Sequence, residues 1–132
     1  LYTACDHGPA LCDGVAIVAS GRTGVAGASL LATQSSMAPA LWPGGVPDVK
    51  RSFRASLAYR LCLVAEGRFD AMLTLRDAWE WDIAAGSLIC DCAGARVTDR
   101  FGFDLRFNSP DAKTPGVIAT NPALHSAILS HL

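Results

Sequence analysis

The strongest local signal in the sequence is the stretch Glu80-Trp81-Asp82-Ile83-Ala84-Ala85-Gly86. It opens an apolar segment that predicts a helix over Trp81–Ala93. Gly94 ends this helix, because glycine adopts the conformation of a helix end without strain. Gly86 falls inside the helix, where glycine costs about 1 kcal/mol relative to alanine. We therefore predict that the small residues of this first turn approach a neighbouring element closely.

Asp82 lies at the start of the predicted helix. A carboxylate there faces backbone N–H groups that have no intrahelical acceptor, and it also faces the positive end of the helix dipole. Two roles are consistent with this position. Asp82 is either the N-cap of the helix or a ligand for a hard cation such as Mg²⁺, which prefers carboxylate oxygen.

A second helix start lies at residues 54–60, which read Arg-Ala-Ser-Leu-Ala-Tyr-Arg. Ser56 is a good N-cap, apolar residues follow at helical spacing, and Gly67 ends the helix. Free N–H groups and a hydroxyl at a helix N-terminus suit a phosphate. The basic residues that precede it are Lys50, Arg51 and Arg54. The alternatives are a phosphate site and a capped helix that follows a solvated basic strand.

The rest of the chain alternates strands with helices, which predicts an α/β fold. The predicted strands are Leu1–Cys5, Ala10–Leu11, Val15–Ala19, Val49–Phe53, Phe69–Leu75, Arg96–Thr98, Leu105–Phe107 and Gly116–Thr120. The two further predicted helices are Val25–Thr33 and a last helix over Ala123–Leu132, with Asn121 as its cap and Pro122 at its first position.

Composition excludes several classes of protein. The 132 residues are 51% hydrophobic and 17% charged, which argues against disorder. The net charge of −1 gives no pull toward nucleic acid or a membrane surface, and no apolar run approaches the ~20 residues that span a bilayer. We predict neither a nucleic-acid partner nor a membrane partner.

The five cysteines predict small, buried, reduced thiols in a cytoplasmic protein. Their odd number and wide spacing do not form a disulfide framework, and no Cys-x-x-Cys pair occurs. Cys90 and Cys92 are two residues apart in a helical pattern, so they would chelate a metal poorly. A bridge between Cys5 and Cys12 is the alternative.

Three segments together resemble the C-terminal part of the inositol monophosphatase superfamily. They are Trp81–Ile89 with Ala93-Gly94, the preceding Ser56–Ala71, and Pro115–Pro122. The residues of these segments are most similar to those of bacterial 3'(2'),5'-bisphosphate nucleotidases and inositol monophosphatase family proteins. The resemblance implies the C-terminal lobe of a layered αβαβα sugar-phosphatase-type fold, with a mixed sheet flanked by helices.

The resemblance also implies a magnesium-dependent, lithium-sensitive phosphomonoesterase. The favoured reaction is hydrolysis of 3'-phosphoadenosine 5'-phosphate to AMP and phosphate, and the alternative is hydrolysis of inositol 1-phosphate. Magnesium ions would bind the phosphate and activate a water molecule. A hypothesis of another class is a noncatalytic lobe that binds a phosphorylated ligand or a protein partner through exposed apolar surface.

The resemblance assigns site residues by position. Asp82 falls on the metal-binding aspartate. The substrate-binding positions are Ala55, Ser56, Leu57, Tyr59 and Arg76. Arg60 is expected to point elsewhere, and Thr74 or Leu75 falls where some members contact substrate.

The family's other metal ligands, a glutamate and an Asp-Pro-[Ile/Leu]-Asp-Gly-Thr segment, have no match in the sequence. We therefore expect the catalytic residues upstream of Leu1 and no activity from the isolated chain. Residues 1–22 are expected to be the last strands of an upstream domain, and residues 23–132 the C-terminal α/β lobe. The complete protein is expected to be a homodimer that acts on a small phosphorylated metabolite.

Overall fold

The structure is a computed structural model that describes residues 1–132. Ten short strands and three helices alternate along the chain. The strands are β1 (Tyr2–Thr3), β2 (Leu11–Cys12), β3 (Val15–Ala16), β4 (Ala28–Leu31), β5 (Val49–Ser52), β6 (Ala71–Thr74), β7 (Ala78–Trp79), β8 (Arg96–Thr98), β9 (Lys113–Thr114) and β10 (Val117–Thr120). The helices are α1 (Leu57–Ala65), α2 (Glu80–Cys92) and α3 (Pro122–Leu129).

A five-stranded mixed sheet forms the centre of the fold, in the order β5-β4-β6-β10-β8. Strand β4 pairs in parallel with both β5 and β6, whereas β10 is antiparallel to β6 and β8. The carboxyl ends of β4, β5 and β6 therefore meet at one edge of the sheet. Ligands of open α/β sheets bind in the crevice outside such an edge.

Side chains alternate between the two faces of the sheet, so each face has its own core. One core packs against α1 and α2 and includes Leu31, Leu61, Met72, Ile83, Val97 and Val117. The other packs against α3 and includes Leu30, Trp42, Leu73, Ile118, Leu124 and Ile128. Helices thus cover both faces of a mixed sheet, which confirms the predicted fold class.

The N-terminal residues form a separate three-stranded antiparallel sheet of β1, β2 and β3. This sheet packs on the side of α1 and α2: Ala10 is fully buried in their core, and the Ala19 N–H donates to the Ala93 carbonyl at 3.0 Å. A domain boundary near residue 22 stays a prediction.

The predicted helix over Val25–Thr33 is wrong, because Ala28–Leu31 is strand β4. β4 lies between β5 and β6, so the sheet buries its apolar side chains on both faces and leaves no polar face to mark it as a strand. The predicted strand at Leu105–Phe107 is also wrong. Only Asp104, in the preceding turn, bridges to Thr98.

The helix starts and ends follow the predicted chemistry. The Ser56 hydroxyl accepts the Tyr59 N–H at 3.1 Å at the start of α1, and the side-chain Oδ1 of Asn121 accepts the Leu124 N–H at 3.0 Å at the start of α3. Gly67 and Gly94 follow α1 and α2 with φ of +71° and +82°. These caps confirm the interpretation of both glycines as helix stops.

All five cysteines are free thiols, so the alternative Cys5–Cys12 bridge is absent. Cys62 and Cys90 are buried as predicted, but Cys5 is exposed because it lies at the end of the small N-terminal sheet. None of the three helices has the length and apolarity needed to cross a membrane.

Candidate functional site

A cavity of about 450 Å³ opens at the edge where the parallel strands β4, β5 and β6 end. The segments that follow these strands, together with the first turns of α1 and α2, form its walls. Its lining residues are Thr33, Ala55, Ser56, Leu57, Ala58, Arg60, Thr74, Arg76, Asp77, Trp81 and Asp82. Two arginines, two aspartates and three hydroxyl groups therefore face one space.

The first turn of α1 supplies backbone donors to this cavity. The Ser56 hydroxyl satisfies the N–H of Tyr59, and the Ser56 carbonyl accepts the N–H of Arg60 at 3.1 Å. The N–H groups of Leu57 and Ala58 have no acceptor within the helix, since the first residues of any helix lack one. Both residues line the cavity, so an anion there meets free donors and the positive end of the helix dipole.

Arg60 is the unusual group of the site. Its side chain is only 5% exposed, and one guanidinium nitrogen (Nη2) donates to the Ala55 carbonyl at 3.3 Å. The other two nitrogens, Nε and Nη1, are buried and have no hydrogen-bond partner. The guanidinium carbon lies 5.2 Å from the ring centre of Phe53. Burial, and second the charge of Arg76, lower the pKa of Arg60.

A buried guanidinium without a carboxylate partner is costly, because its desolvation is not offset by an ion pair. Buried arginines in proteins are therefore normally paired. Arg60 instead faces a cavity whose other cation is Arg76. An anion that enters this cavity would meet the positive charge of both arginines.

Asp82 occupies the third position of α2, and Trp79, not Asp82, is the N-cap. The alternative interpretation of Asp82 as a cap is therefore wrong. Its carboxylate is exposed and takes part in no hydrogen bond or ion pair within the chain, although it lines the cavity. An unpaired carboxylate beside a helix N-terminus is free to bind a cation from solution.

Gly86 brings the two helix starts together. A Cβ at Gly86 would lie 2.7 Å from Cδ1 of Leu61, so any larger residue would push α2 away from α1. This contact confirms the predicted close approach. It also explains why Asp82 and Ser56, from two different helices, border the same cavity.

Glu80 connects the first turn of α2 to the loop that precedes β9. Its buried carboxylate accepts the N–H groups of Asn108 at 2.6 Å and Ser109 at 3.1 Å, together with the Ser109 hydroxyl. The hydroxyl bond is the main reason why the pKa of Glu80 is lowered. Glu80 therefore anchors the loop before β9 to the start of α2, next to Asp82.

The cavity unites most of the residues singled out from the sequence. Five of the six predicted site residues line it: Ala55, Ser56, Leu57, Arg76 and Asp82. Tyr59 is not among the lining residues and is 41% exposed. Of the two further candidates, Thr74 lines the cavity and Leu75 does not.

Arg60 was expected to point away from the site, and the structure corrects this expectation. Sequence spacing does not distinguish the two residues, since Arg60 follows Leu57 by three residues and Tyr59 follows Ser56 by three. Tyr59 projects from a different face of α1.

The residues that line this cavity provide some, but not all, of the ligands that a hard cation needs. Asp77 and Asp82 are the two carboxylates of the cavity wall. Mg²⁺ commonly takes one or two protein carboxylates and completes its shell with water and substrate phosphate. No three acidic, histidine or cysteine residues of the chain are grouped closely enough to share a metal ion. Asp82 thus suits one ligand position, and this chain does not provide a closed cage.

Comparison with known proteins decides the family. The model of the inositol monophosphatase family matches residues 1–132. The chain belongs to the inositol monophosphatase family.

Individual relatives agree with the family assignment. Inositol monophosphatase 2 of Solanum lycopersicum is 38% identical over 84 residues, which are 62% of this chain and 30% of that protein. The bifunctional NADP phosphatase/NAD kinase of Methanococcus maripaludis is 33% identical over 75 residues, which are 56% of this chain and 13% of that protein.

A solved structure confirms the family fold. Inositol monophosphate-bound SaIMPase-II superposes with a TM-score of 0.83 at 19% identity, over 97% of this chain and 50% of that one. The chain therefore spans about half the length of this relative of known structure.

Proposed function

We propose that this chain is the C-terminal part of a magnesium-dependent phosphomonoesterase. The favoured reaction is the hydrolysis of 3'-phosphoadenosine 5'-phosphate to AMP and phosphate. The family assignment supports a phosphatase. The observation that carries the choice of substrate is the buried guanidinium of Arg60 in the same cavity as Asp82.

The cavity offers binding groups of two opposite charges. Asp82 suits the metal-bound phosphate that is removed, because a carboxylate attracts the cation and not the phosphate itself. Arg60 and Arg76 suit a second anionic group that stays on the product. A bisphosphate uses both sets of groups, whereas a monophosphate of a neutral sugar leaves the guanidinium of Arg60 unpaired.

Mg²⁺ would supply charge stabilisation for the transferring phosphoryl group and a water molecule of lowered pKa. The residues of this chain would hold and orient the substrate. Asp82 would provide one metal ligand, and the free N–H groups of Leu57 and Ala58 would donate to a phosphate oxygen or to the leaving-group side of the sugar. Arg76, exposed at the cavity wall, would neutralise the retained phosphate.

The second candidate substrate is inositol 1-phosphate. The relatives named as inositol monophosphatases favour it, including the one from Solanum lycopersicum. A noncatalytic lobe that binds a phosphorylated ligand is the candidate of another class, and it would use the same two arginines. We also propose that the complete protein is a cytoplasmic homodimer, and that the isolated chain is inactive because it lacks a closed metal cage.

Phosphate release by a longer protein that contains this chain tests the proposal. We expect faster turnover of 3'-phosphoadenosine 5'-phosphate than of inositol 1-phosphate in millimolar Mg²⁺. Arg60→Met should raise KM for the bisphosphate about 10- to 100-fold, the size expected for lost charged hydrogen bonds. It should leave KM for inositol 1-phosphate unchanged. Equal or better turnover of the inositol compound would reverse the order of the two substrates.

The matched control is Arg68→Met. Arg68 is an exposed arginine that pairs with Glu66 at 3.1 Å and does not line the cavity. Its loss should change neither KM, since Arg68 lies outside the cavity. A similar effect of both arginine variants would contradict the role given to Arg60.

A further inference from the structure

Two tryptophans form an exposed stack beside the cavity. The ring centres of Trp79 and Trp81 lie 4.6 Å apart, and the ring planes are 11° from parallel. Trp79 is 42% exposed and Trp81 is 66% exposed. Aromatic rings of this size are normally buried, because they carry the largest apolar area of any side chain. An exposed pair therefore needs an explanation.

The stack has one occupied end and one free end. The ammonium of Lys113 lies 4.4 Å from the ring centre of Trp79. It cannot lie between the two rings, since they are in contact, so it covers the face of Trp79 that Trp81 leaves open. The order is Lys113, Trp79, Trp81. The outer face of Trp81 is left to solvent.

Trp81 also lines two cavities. One is the cavity with Arg60, Arg76 and Asp82. The other is a cavity of about 380 Å³ that Phe107 and Asn108 also line. The side-chain amide of Asn108 has no hydrogen bond within the chain, although its backbone N–H donates to Glu80. The exposed ring of Trp81 therefore borders the cavity that contains the two arginines.

We propose that Trp81, supported by Trp79, is a stacking platform for the base of a nucleotide substrate. The inference rests on the proposed function, since Arg60 and Arg76 would hold the phosphate that brings the base into reach. Every nucleobase presents a π-face to an aromatic side chain, and such stacking tolerates different bases. Inositol has no flat ring, so the platform discriminates nucleotides from inositol phosphates.

Lys113 strengthens this platform. A cation over one face of Trp79 is attracted to the ring's electron density. It also holds Trp79 in place under Trp81, so less side-chain freedom is lost when a base stacks. Lys113 belongs to strand β9, which pairs with β7 through Trp79. The pairing of these two strands therefore fixes the positions of Lys113 and Trp79 relative to each other.

Binding to the 132-residue chain tests the platform. The probes are adenosine 3',5'-bisphosphate and ribose 3,5-bisphosphate, which has the same phosphates and no base, both measured by titration calorimetry in Mg²⁺. We expect the nucleotide to bind about ten-fold more tightly. Trp81→Leu should remove this preference and leave the affinity for the ribose compound unchanged. Because Trp81 is exposed, this variant should fold.

Trp79→Leu is the second variant, and it should reduce the preference by a smaller factor. Equal binding of the two probes to the unchanged chain would overturn the platform and leave the anion site intact. Failure of both probes to bind would overturn the anion site of this chain and the platform with it. A base preference present in the chain but absent from a longer protein would show that another segment covers Trp81, and would also overturn the proposal.

Discussion

Gly86 of α2 lies directly against Leu61 of α1, and a Cβ on Gly86 would stand 2.8 Å from the Cβ of Leu61. Real carbon atoms do not approach so closely. The two helices can therefore pack at this distance only while position 86 carries no side chain. Since both helix starts border the cavity, this single contact sets the width of the candidate site.

Gly86→Ala should destabilise the chain despite the better helix propensity of alanine. Overpacking costs about 1–3 kcal/mol, and alanine recovers about 1 kcal/mol of propensity. We expect a net loss of up to about 2 kcal/mol in the free energy of unfolding, measured with urea. Gly21→Ala is the control, because a Cβ there meets no atom within 4 Å. A Gly86→Ala variant as stable as the control would contradict the packing argument.

Arg60→Met should stabilise the chain in the absence of ligand. Methionine replaces the aliphatic part of the arginine side chain and carries no charge, so it removes the cost of a buried guanidinium that has two unpaired nitrogens. We expect a gain of about 1–3 kcal/mol in the free energy of unfolding. Inorganic phosphate should raise the Tm of the unchanged chain more than that of the variant, which keeps Arg76 and the N–H groups of Leu57 and Ala58.

Arg68→Met provides the comparison for this prediction. It removes an exposed arginine, so stability and the phosphate-dependent Tm shift should both stay close to those of the unchanged chain. A loss of stability in Arg60→Met would mean that Arg60 is a structural residue. That result would weaken its assignment to ligand binding.

His125 should make the chain less stable in mild acid. It is buried on α3, and its Nε2 lies 2.8 Å from the Thr98 hydroxyl oxygen. Burial, and second the charge of Arg96, lower the pKa of His125. The unfolded chain, with an ordinary histidine pKa near ~6.5, binds the proton more readily than the folded chain. Stability therefore falls as the pH drops below ~6.5 toward the lowered pKa.

Urea unfolding of the unchanged chain and of His125→Gln between pH 7.5 and 5.5 checks this prediction. Glutamine keeps a polar group near Thr98 but does not titrate. The decline of stability with acid should be smaller in the variant. An identical decline in both proteins would show that another group is responsible.

Asp70 should be one of the most sensitive polar positions. Its carboxylate accepts the Ser29 N–H, the Ser29 hydroxyl and the Ser20 hydroxyl, each at 2.8 Å. Burial by itself would raise the pKa of Asp70, but these hydrogen bonds outweigh it and the pKa is lowered. Asp70→Ala leaves three donors without an acceptor and should cost about 1–3 kcal/mol of unfolding free energy.

The matched control for Asp70 is Asp48→Ala, since Asp48 is exposed and its side chain makes no hydrogen bond. Its effect should stay within about 0.5 kcal/mol. For Asp70 the stabilisation is present above the unfolded carboxyl pKa near ~3.9 and is lost as the pH falls through the lower folded value. If both variants lower the free energy of unfolding in urea at pH 7 by the same amount, the hydrogen bonds of Asp70 do not have the stabilising role given to them.

The sequence predicted those elements whose signals are local. Ser56, Gly67, Gly94 and Asn121 act within one helical turn, so their caps were readable without the fold. The spacing of Gly86 likewise indicated a close approach before the partner, Leu61, was known. The family resemblance extended this local information to Asp82.

Other features depend on which segments become neighbours. The stretch Ala28–Leu31 is a strand because β5 and β6 flank it, and an apolar run of that length also fits a helix. The two-residue strands β7 and β9 lie more than thirty residues apart in sequence and carry no periodic signal. Their pairing is a tertiary event.

By itself the sequence determined the α/β class, the two helix starts that carry side-chain caps, Ser56 and Asn121, and Asp82 as a candidate ligand. Only the tertiary structure decided that Arg60 faces the cavity and Tyr59 does not, and that Trp79 stacks on Trp81. The physical reason is that caps act over three or four residues of one chain segment. The burial and partners of a side chain depend instead on segments that meet only when the sheet and its helices assemble.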